Sequence, residues 1–315
     1  MSSLRFRFPD IATALAAAAA ILTHHARAEG QACCAGTGVV TPARLALHEN
    51  ALVGLQAKMG SVLGSFDPER HYTSSPAHAS ELDLEQDVFA SIRLVERGQL
   101  ALLIPFIETR RETSGQSEFG GGIGDVNLSL RYELTLAGAS LSIPGIAALG
   151  GITVPTGKPP DAADVGAQAT GATGIGAYQF NIGIAVEQAF GPWLVSATGI
   201  VAQRTARTAG SGATAVHQRL APQWTALAAL AYTWPSDIAV ALSASYLAEG
   251  NATINGSEVP DTGLRLVTLT FAGVLPLSDA WRVQSAVFAN PPIDHTGQNL
   301  VVDAGMSLTV IRSWI

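Results

Sequence analysis

Leu82-Asp83-Leu84-Glu85-Gln86-Asp87-Val88-Phe89-Ala90-Ser91-Ile92-Arg93-Leu94-Val95 is the stretch whose reading decides the fold. Leu82, Leu84, Val88, Ala90, Ile92 and Leu94 alternate with Asp83, Glu85, Asp87, Ser91 and Arg93. The period is two, not 3.6, which specifies a strand with one apolar face and one wet, charged face. The pattern recurs. Val126, Leu128, Leu130, Tyr132 and Leu134 alternate with Asp125, Asn127, Ser129, Arg131 and Glu133. Tyr178, Phe180, Ile182, Ile184 and Val186 alternate with Gln179, Asn181 and Glu187.

Alternation fits two architectures. In a sandwich the apolar face packs on a second sheet. In a membrane barrel it meets lipid and the polar face lines the interior. Strand length and loop asymmetry separate them. Strands are expected near 51–66, 82–96, 99–111, 123–137, 143–156, 171–189, 193–207, 214–233, 237–249, 263–276, 281–290 and 301–312. Several exceed the usual length in soluble sheets and suit a tilted membrane crossing. Short connections (Glu96 to Gly98, Ala137 to Leu141, Phe190 to Trp193, Trp234 to Asp237, Leu277 to Asp279) alternate with long ones at 67–81, 112–122, 157–170, 208–213, 250–262 and 291–300. Short periplasmic turns and long extracellular loops mark an outer-membrane barrel. The expected fold is therefore all-β: a transmembrane, antiparallel, up-and-down barrel of about 12 strands spanning 51–315.

Composition agrees. Apolar residues make up 48% of the 315 and charged residues 14%, yet no run of 18 uncharged apolar residues exists beyond the N-terminus. That argues against membrane helices and leaves a closed barrel as the way to place apolar surface in lipid. Thirty-two glycines suit strands joined by tight turns.

Arg5 and Arg7, the apolar stretch Ile11 to Thr23, and Ala26-Arg27-Ala28 read as a signal peptide, residues 1–28, cleaved after Ala28. Removing Arg5, Arg7, Arg27 and Asp10 leaves 15 basic and 24 acidic residues, a net charge of −9. No basic face points to nucleic acid. Residues 29–50 are expected to be a periplasmic segment. It holds the only cysteines, Cys33 and Cys34, which are adjacent and cannot staple a fold; a vicinal disulfide or lipid attachment at Cys33 are the alternatives to an unstructured tract.

Trp193, Trp234 and Trp281 fall at short turns, as expected for a periplasmic aromatic girdle. The chain ends in an alternating strand with Trp314 penultimate. Pro105 and Pro222 lie inside expected strands, and each implies a bulge or a strand end placed elsewhere.

Gly120-Gly121-Gly122-Ile123-Gly124-Asp125, leading into Val126 to Tyr132, resembles a signature of the phenol-degradation meta-pathway (MetA-like) outer-membrane transporter family. Ala147 to Lys158, with its Pro155-Thr156-Gly157, and Gly171 to Trp193 are similar to that family too. The resemblance covers roughly residues 120 to 200. It implies an outer-membrane barrel that passes or binds small hydrophobic or aromatic compounds. The glycine run would let the backbone re-enter the sheet after a loop. It is not a phosphate loop, because a strand rather than a helix follows.

Parity assigns a lumen lining of Asp83, Glu85, Asp87, Arg93, Asp125, Arg131, Glu133, Glu187, Arg204, His217, Arg219 and Arg282, with Gln56, Lys58, Asn127, Gln179, Asn181, Gln223 and Asp303. Acidic groups precede arginines along the chain, so opposite signs are expected to face each other across the lumen. They serve either as paired filling or as a selectivity lining. No nucleophile or base constellation is legible; His217 is the only histidine within an expected strand, and His71, His78 and His295 read as solvated loop residues. No cofactor or metal site is expected. The functional expectation is a passive channel or transporter for small, hydrophobic or aromatic molecules, in contact with outer-membrane lipid. The alternative is a filled barrel with a structural or surface-interaction role.

Overall fold

The computed structural model describes residues 43–113, 115–138, 142–162, 168–210 and 215–315. Twelve barrel strands run in chain order. They are β1 (Ala51–Phe66), β2 (Ala79–Val95), β3 (Gly98–Thr113), β4 (Gln116–Ile123 and Val126–Thr135), β5 (Gly145–Val154) and β6 (Gln179–Phe190). Then come β7 (Trp193–Arg204), β8 (Gln223–Thr233), β9 (Ala239–Glu249), β10 (Leu264–Pro276), β11 (Trp281–Ala289) and β12 (Val301–Trp314). Each pairs antiparallel with its sequence neighbours, and β12 pairs with β1 from Ala51↔Trp314 to Ser65↔Val301, so the sheet closes with no free side. The expected signal peptide, Cys33 and Cys34 lie outside the described residues.

The two faces of the wall follow the alternation. Along β12, Ser307, Thr309, Ile311 and Ser313 are buried inside, while Met306, Leu308 and Val310 stand on the outer surface. Along β2, Asp83, Glu85, Asp87, Phe89, Ser91 and Arg93 share the inner side. Ile182 is 70% exposed and Leu242 59%, too much large apolar surface for a wall facing water. The bare outer face is the lipid-facing surface of a transmembrane barrel.

Turns gather at one end and loops at the other. At the turn end Trp193, Tyr232 and Trp234 stack edge to face with centroids 4.8 Å apart, and Arg312 lies over Trp314 at 4.9 Å. An amphipathic ring gains most at a membrane interface, and these sit where one is expected. The loops carry their own small sheet, built from Arg207–Ala209, Val216–Arg219, Thr253–Ile254 and Ser257–Glu258.

Four details differ from the sequence reading. The expected loop 112–122 is largely strand, because β3 runs to Thr113, β4 starts at Gln116 and those two residues pair. The glycine run therefore lies inside the sheet, opposite Ile107 to Thr109. The expected strand 171–189 begins only at Gln179, and 214–233 begins at Gln223, with Val216–Arg219 given to the loop sheet. Pro222 accordingly lies just outside a strand. Pro105 lies within β3, opposite the break in β4, where Gly124 donates to its carbonyl at 2.8 Å. Ladder pairing passes from Leu103↔Asn127 to Phe106↔Ile123 around it, so the missing N–H disturbs little.

Candidate functional site

The lumen is occupied from both ends. At the turn end the chain preceding β1 folds into the barrel: Ala43, Arg44, Leu45, Ala46 and Glu49 are all buried. Apolar packing supplies a floor, in which Ala43 and Leu45 meet Leu52, Phe89, Ala101 and Ile311. Phe89 interrupts the polar face of β2. Its ring lies over Gly54, where a Cβ would stand 2.2 Å from it, so a larger residue there would force the ring to move.

Charge seats the segment more specifically than apolar contact does. Arg44 donates from both terminal nitrogens to the Glu187 carboxylate, at 2.5 and 2.6 Å. Arg131 joins the same carboxylate at 3.2 Å and holds Glu133 at 2.6 Å. Glu49 pairs with Arg282 of β11 and accepts the Ala46 amide at 2.8 Å. Arg93 donates to the backbone carbonyls of Ala46 and Glu49 at 2.6 and 2.9 Å, and Leu45 N–H donates to Gln99 at 3.0 Å. Removing a charge from water costs several kcal/mol unless it is paired and hydrogen-bonded, and these groups are.

The opposing arrangement comes from the other end, where the described parts of one loop, residues 155–162 and 168–178, fold inward. Asp125, at the break in β4, accepts Gly157 N–H at 2.9 Å and Ile175 N–H at 2.7 Å, clamping both legs of the loop. Thr156 donates to the Gly124 carbonyl at 2.6 Å, and Thr173 to the Ile123 carbonyl at 2.8 Å. Farther up, Arg111 donates to the Gln168 carbonyl at 2.5 Å, and Gln168 N–H donates to Glu118 at 3.1 Å. The loop backbone passes so close to the wall that a Cβ on Gly120 would sit 2.6 Å from Thr170. The motif glycines thus admit a loop against the inner wall, rather than returning the chain to the sheet.

Between these two plugs runs a polar band. Lys58 pairs with Glu85 at 3.3 Å, Gln56 donates to Thr309 at 2.8 Å, and Thr109 donates to Asp83 at 2.7 Å. Asp87 is buried with one oxygen lacking a partner. At the loop end Arg204 pairs with Glu249 at 2.6 Å and donates to Gln179 at 2.9 Å, with Gln223 bonded to the same glutamate at 3.4 Å. Asn127 donates to Thr153 at 3.0 Å and Gln179 to Asn181 at 3.0 Å. Asp303 lies over Gly60.

Of the residues assigned to the lumen by parity, His217 and Arg219 lie instead on the exposed loop strand Val216–Arg219, because the chain leaves the wall before them. Asp125 serves as the clamp of the inward loop. Charges pair mainly between nearby strands or with the N-terminal segment, as in the paired-filling alternative, rather than facing each other across the lumen. Sequence reasoning missed Arg44 and Glu49. Their signal is weak: two lone charges in a short segment without periodicity, with partners 143 and 233 residues away.

No family model matches the sequence, and no curated protein does. Among solved structures, the COG4313 outer membrane channel from Pseudomonas putida F1 is similar, with a TM-score of 0.70 at 15% identity over 85% of this chain and 97% of that one. Two looser matches are the translocator domain of the autotransporter NalP from Neisseria meningitidis (0.49 at 10%, covering 90% and 94%) and the CymD monoaromatic hydrocarbon channel (0.43 at 8%, covering 93% and 95%). The first of these supports the architecture already derived from pairing and burial: a closed membrane barrel.

Proposed function

We propose that this chain is an outer-membrane channel for small, hydrophobic or aromatic molecules, exported through a signal peptide cleaved after Ala28, whose resting lumen is closed by its own N-terminal segment. The observation that carries the reading is the seating of residues 43–50. The stopper is chain that precedes the wall, held by two clusters of ion pairs, Arg44 with Glu187 and Glu49 with Arg282. A barrel filled permanently needs only side chains from its own strands, and small barrels commonly fill that way. The first match, an outer membrane channel, and the resemblance of residues 120–200 to a transporter family for aromatic compounds favour the same reading. The remaining lumen charges would then line the path.

The test compares the mature protein with Arg44→Ala/Glu49→Ala and with a variant lacking 29–50. Planar-bilayer conductance reports an open bore, and entry of a neutral aromatic fluorophore into proteoliposomes reports the solute class. Both variants should conduct several-fold more than the parent, and the fluorophore should enter faster than a sugar of similar size. Variants that fold, as shown by heat-modifiable mobility, but stay as tight as the parent would instead establish a filled structural barrel.

A further inference from the structure

We propose a transition-metal site at the loop-end mouth of the barrel, where His71 and His295 would hold one Zn²⁺ or Cu²⁺ ion across the seam between β12 and β1. His71 lies on the connection after β1 and His295 on the connection before β12, the two strands that close the barrel. Their rings are 5.9 Å apart between centroids and tilted by 54°, too far and too inclined for a stack. A metal–nitrogen bond of about 2.0–2.1 Å puts each ring centre roughly 3.2 Å from the ion, so two imidazoles on one ion have centres about 5–6 Å apart.

The backbone beneath the pair is built to hold it. His295 N–H donates to the Arg70 carbonyl at 2.8 Å, and the Arg70 guanidinium donates back to the His295 carbonyl. Tyr72 N–H donates to Asp294 at 2.8 Å. Both Arg70 and His295 sit at positive φ, 74° and 69°, a conformation costly for residues with side chains and kept where surrounding structure demands it. Asp67 stands behind His71, 3.5 Å from Nδ1, and also accepts the His71 N–H at 2.7 Å. A carboxylate on the Nδ1 side would leave Nε2 as the ligand atom and become the outer-shell partner of the bound imidazole. Asp67, Glu69 and Asp294 against Arg70 make this mouth net negative, which favours a divalent ion.

Among the described residues no three His, Cys, Asp or Glu side chains converge as a full ligand set. The ion would therefore keep solvent in its other positions, and imidazole-rich sites of that kind bind Cu²⁺ more tightly than Zn²⁺. Its effect would be mechanical, a clip over the seam where Phe66 N–H already donates to Leu300 at 2.9 Å.

The experiment uses tag-free mature protein in detergent carrying Cys33→Ser and Cys34→Ser, so that thiols cannot contribute. Cu²⁺ is titrated by calorimetry and the bound ion read by electron paramagnetic resonance. One tight equivalent showing nitrogen coupling from two imidazoles is expected, and Zn²⁺ should raise the temperature at which the heat-modifiable band converts. His71→Ala and His295→Ala should each abolish the tight equivalent and the Zn²⁺ shift while keeping the folded band. Asp67→Ala should weaken binding by about tenfold. Absence of a tight equivalent in the parent, or its survival in both histidine variants, overturns the proposal without touching the channel reading.

Discussion

Asp125 shows how one side chain can set a loop. It lies at the single break in β4 and its two oxygens each take a backbone amide from opposite legs of the loop 155–178. Hydrogen bonds to a charged acceptor contribute roughly 1.5–3 kcal/mol each, so Asp125→Ala should free the loop at a cost of about 3 kcal/mol. Limited proteolysis should then cut within 155–178 at least tenfold faster, with the barrel core intact; unchanged cleavage would show that the threonine contacts suffice. Glu49 is the second residue with a measurable signature. Burial pushes its carboxyl up, but the Arg282 guanidinium, the Ala46 amide and the Ser313 hydroxyl together hold it below its ordinary value of 4.5. With the folded value depressed, its contribution is complete above 4.5 and is lost as pH falls through the lowered value. Conductance of the parent should therefore rise as pH drops below 4.5, while Glu49→Gln should conduct more than the parent at neutral pH and respond less to acid. A flat profile in the parent would remove Glu49 from the closure.

At the scale of elements, the twelve strands were legible because each must satisfy two solvents at once. Leu82 to Val95, apart from Gln86 and Phe89, and Val126 to Leu134 alternate, and their inner and outer faces follow the parity read from sequence. Boundaries failed where polarity says nothing about pairing. Gly171 to Tyr178 and Val216 to Arg219 have strand-like composition, but the first turns inward as loop and the second pairs in the small loop sheet. The glycine run failed in the opposite sense, looking like a loop while being wall. Gly54 makes the close approach of elements testable. Gly54→Val would drive the added carbon atoms into the Phe89 ring, and overpacking of this kind costs roughly 1–3 kcal/mol. Denaturant unfolding from liposomes should show that loss, and pairing the change with Phe89→Ala should restore part of it.

For the whole molecule, the decisive property is an apolar exterior on a closed sheet. A charge on that surface should cost by depth. Leu308, at mid-height of β12, is 54% exposed and faces lipid; Leu277, at a turn, is 60% exposed at the interface. Leu308→Arg should destabilise the barrel by about 2–4 kcal/mol and Leu277→Arg by less than about 1 kcal/mol. Equal costs for the two would contradict a bilayer-embedded wall, since both side chains are similarly bare.

The local pattern of the chain determined the strands, their two faces and the turn–loop asymmetry, because a period-two wall between lipid and a polar interior constrains nearly every residue along it. Only the tertiary structure decided what fills the interior. Arg44 with Glu187 and Glu49 with Arg282 are joined across the barrel by chain closure, and Gly120 lies under Thr170 because a loop turns in rather than out. Such contacts depend on distances between strands far apart in sequence, and periodicity, which is local, carries no record of them.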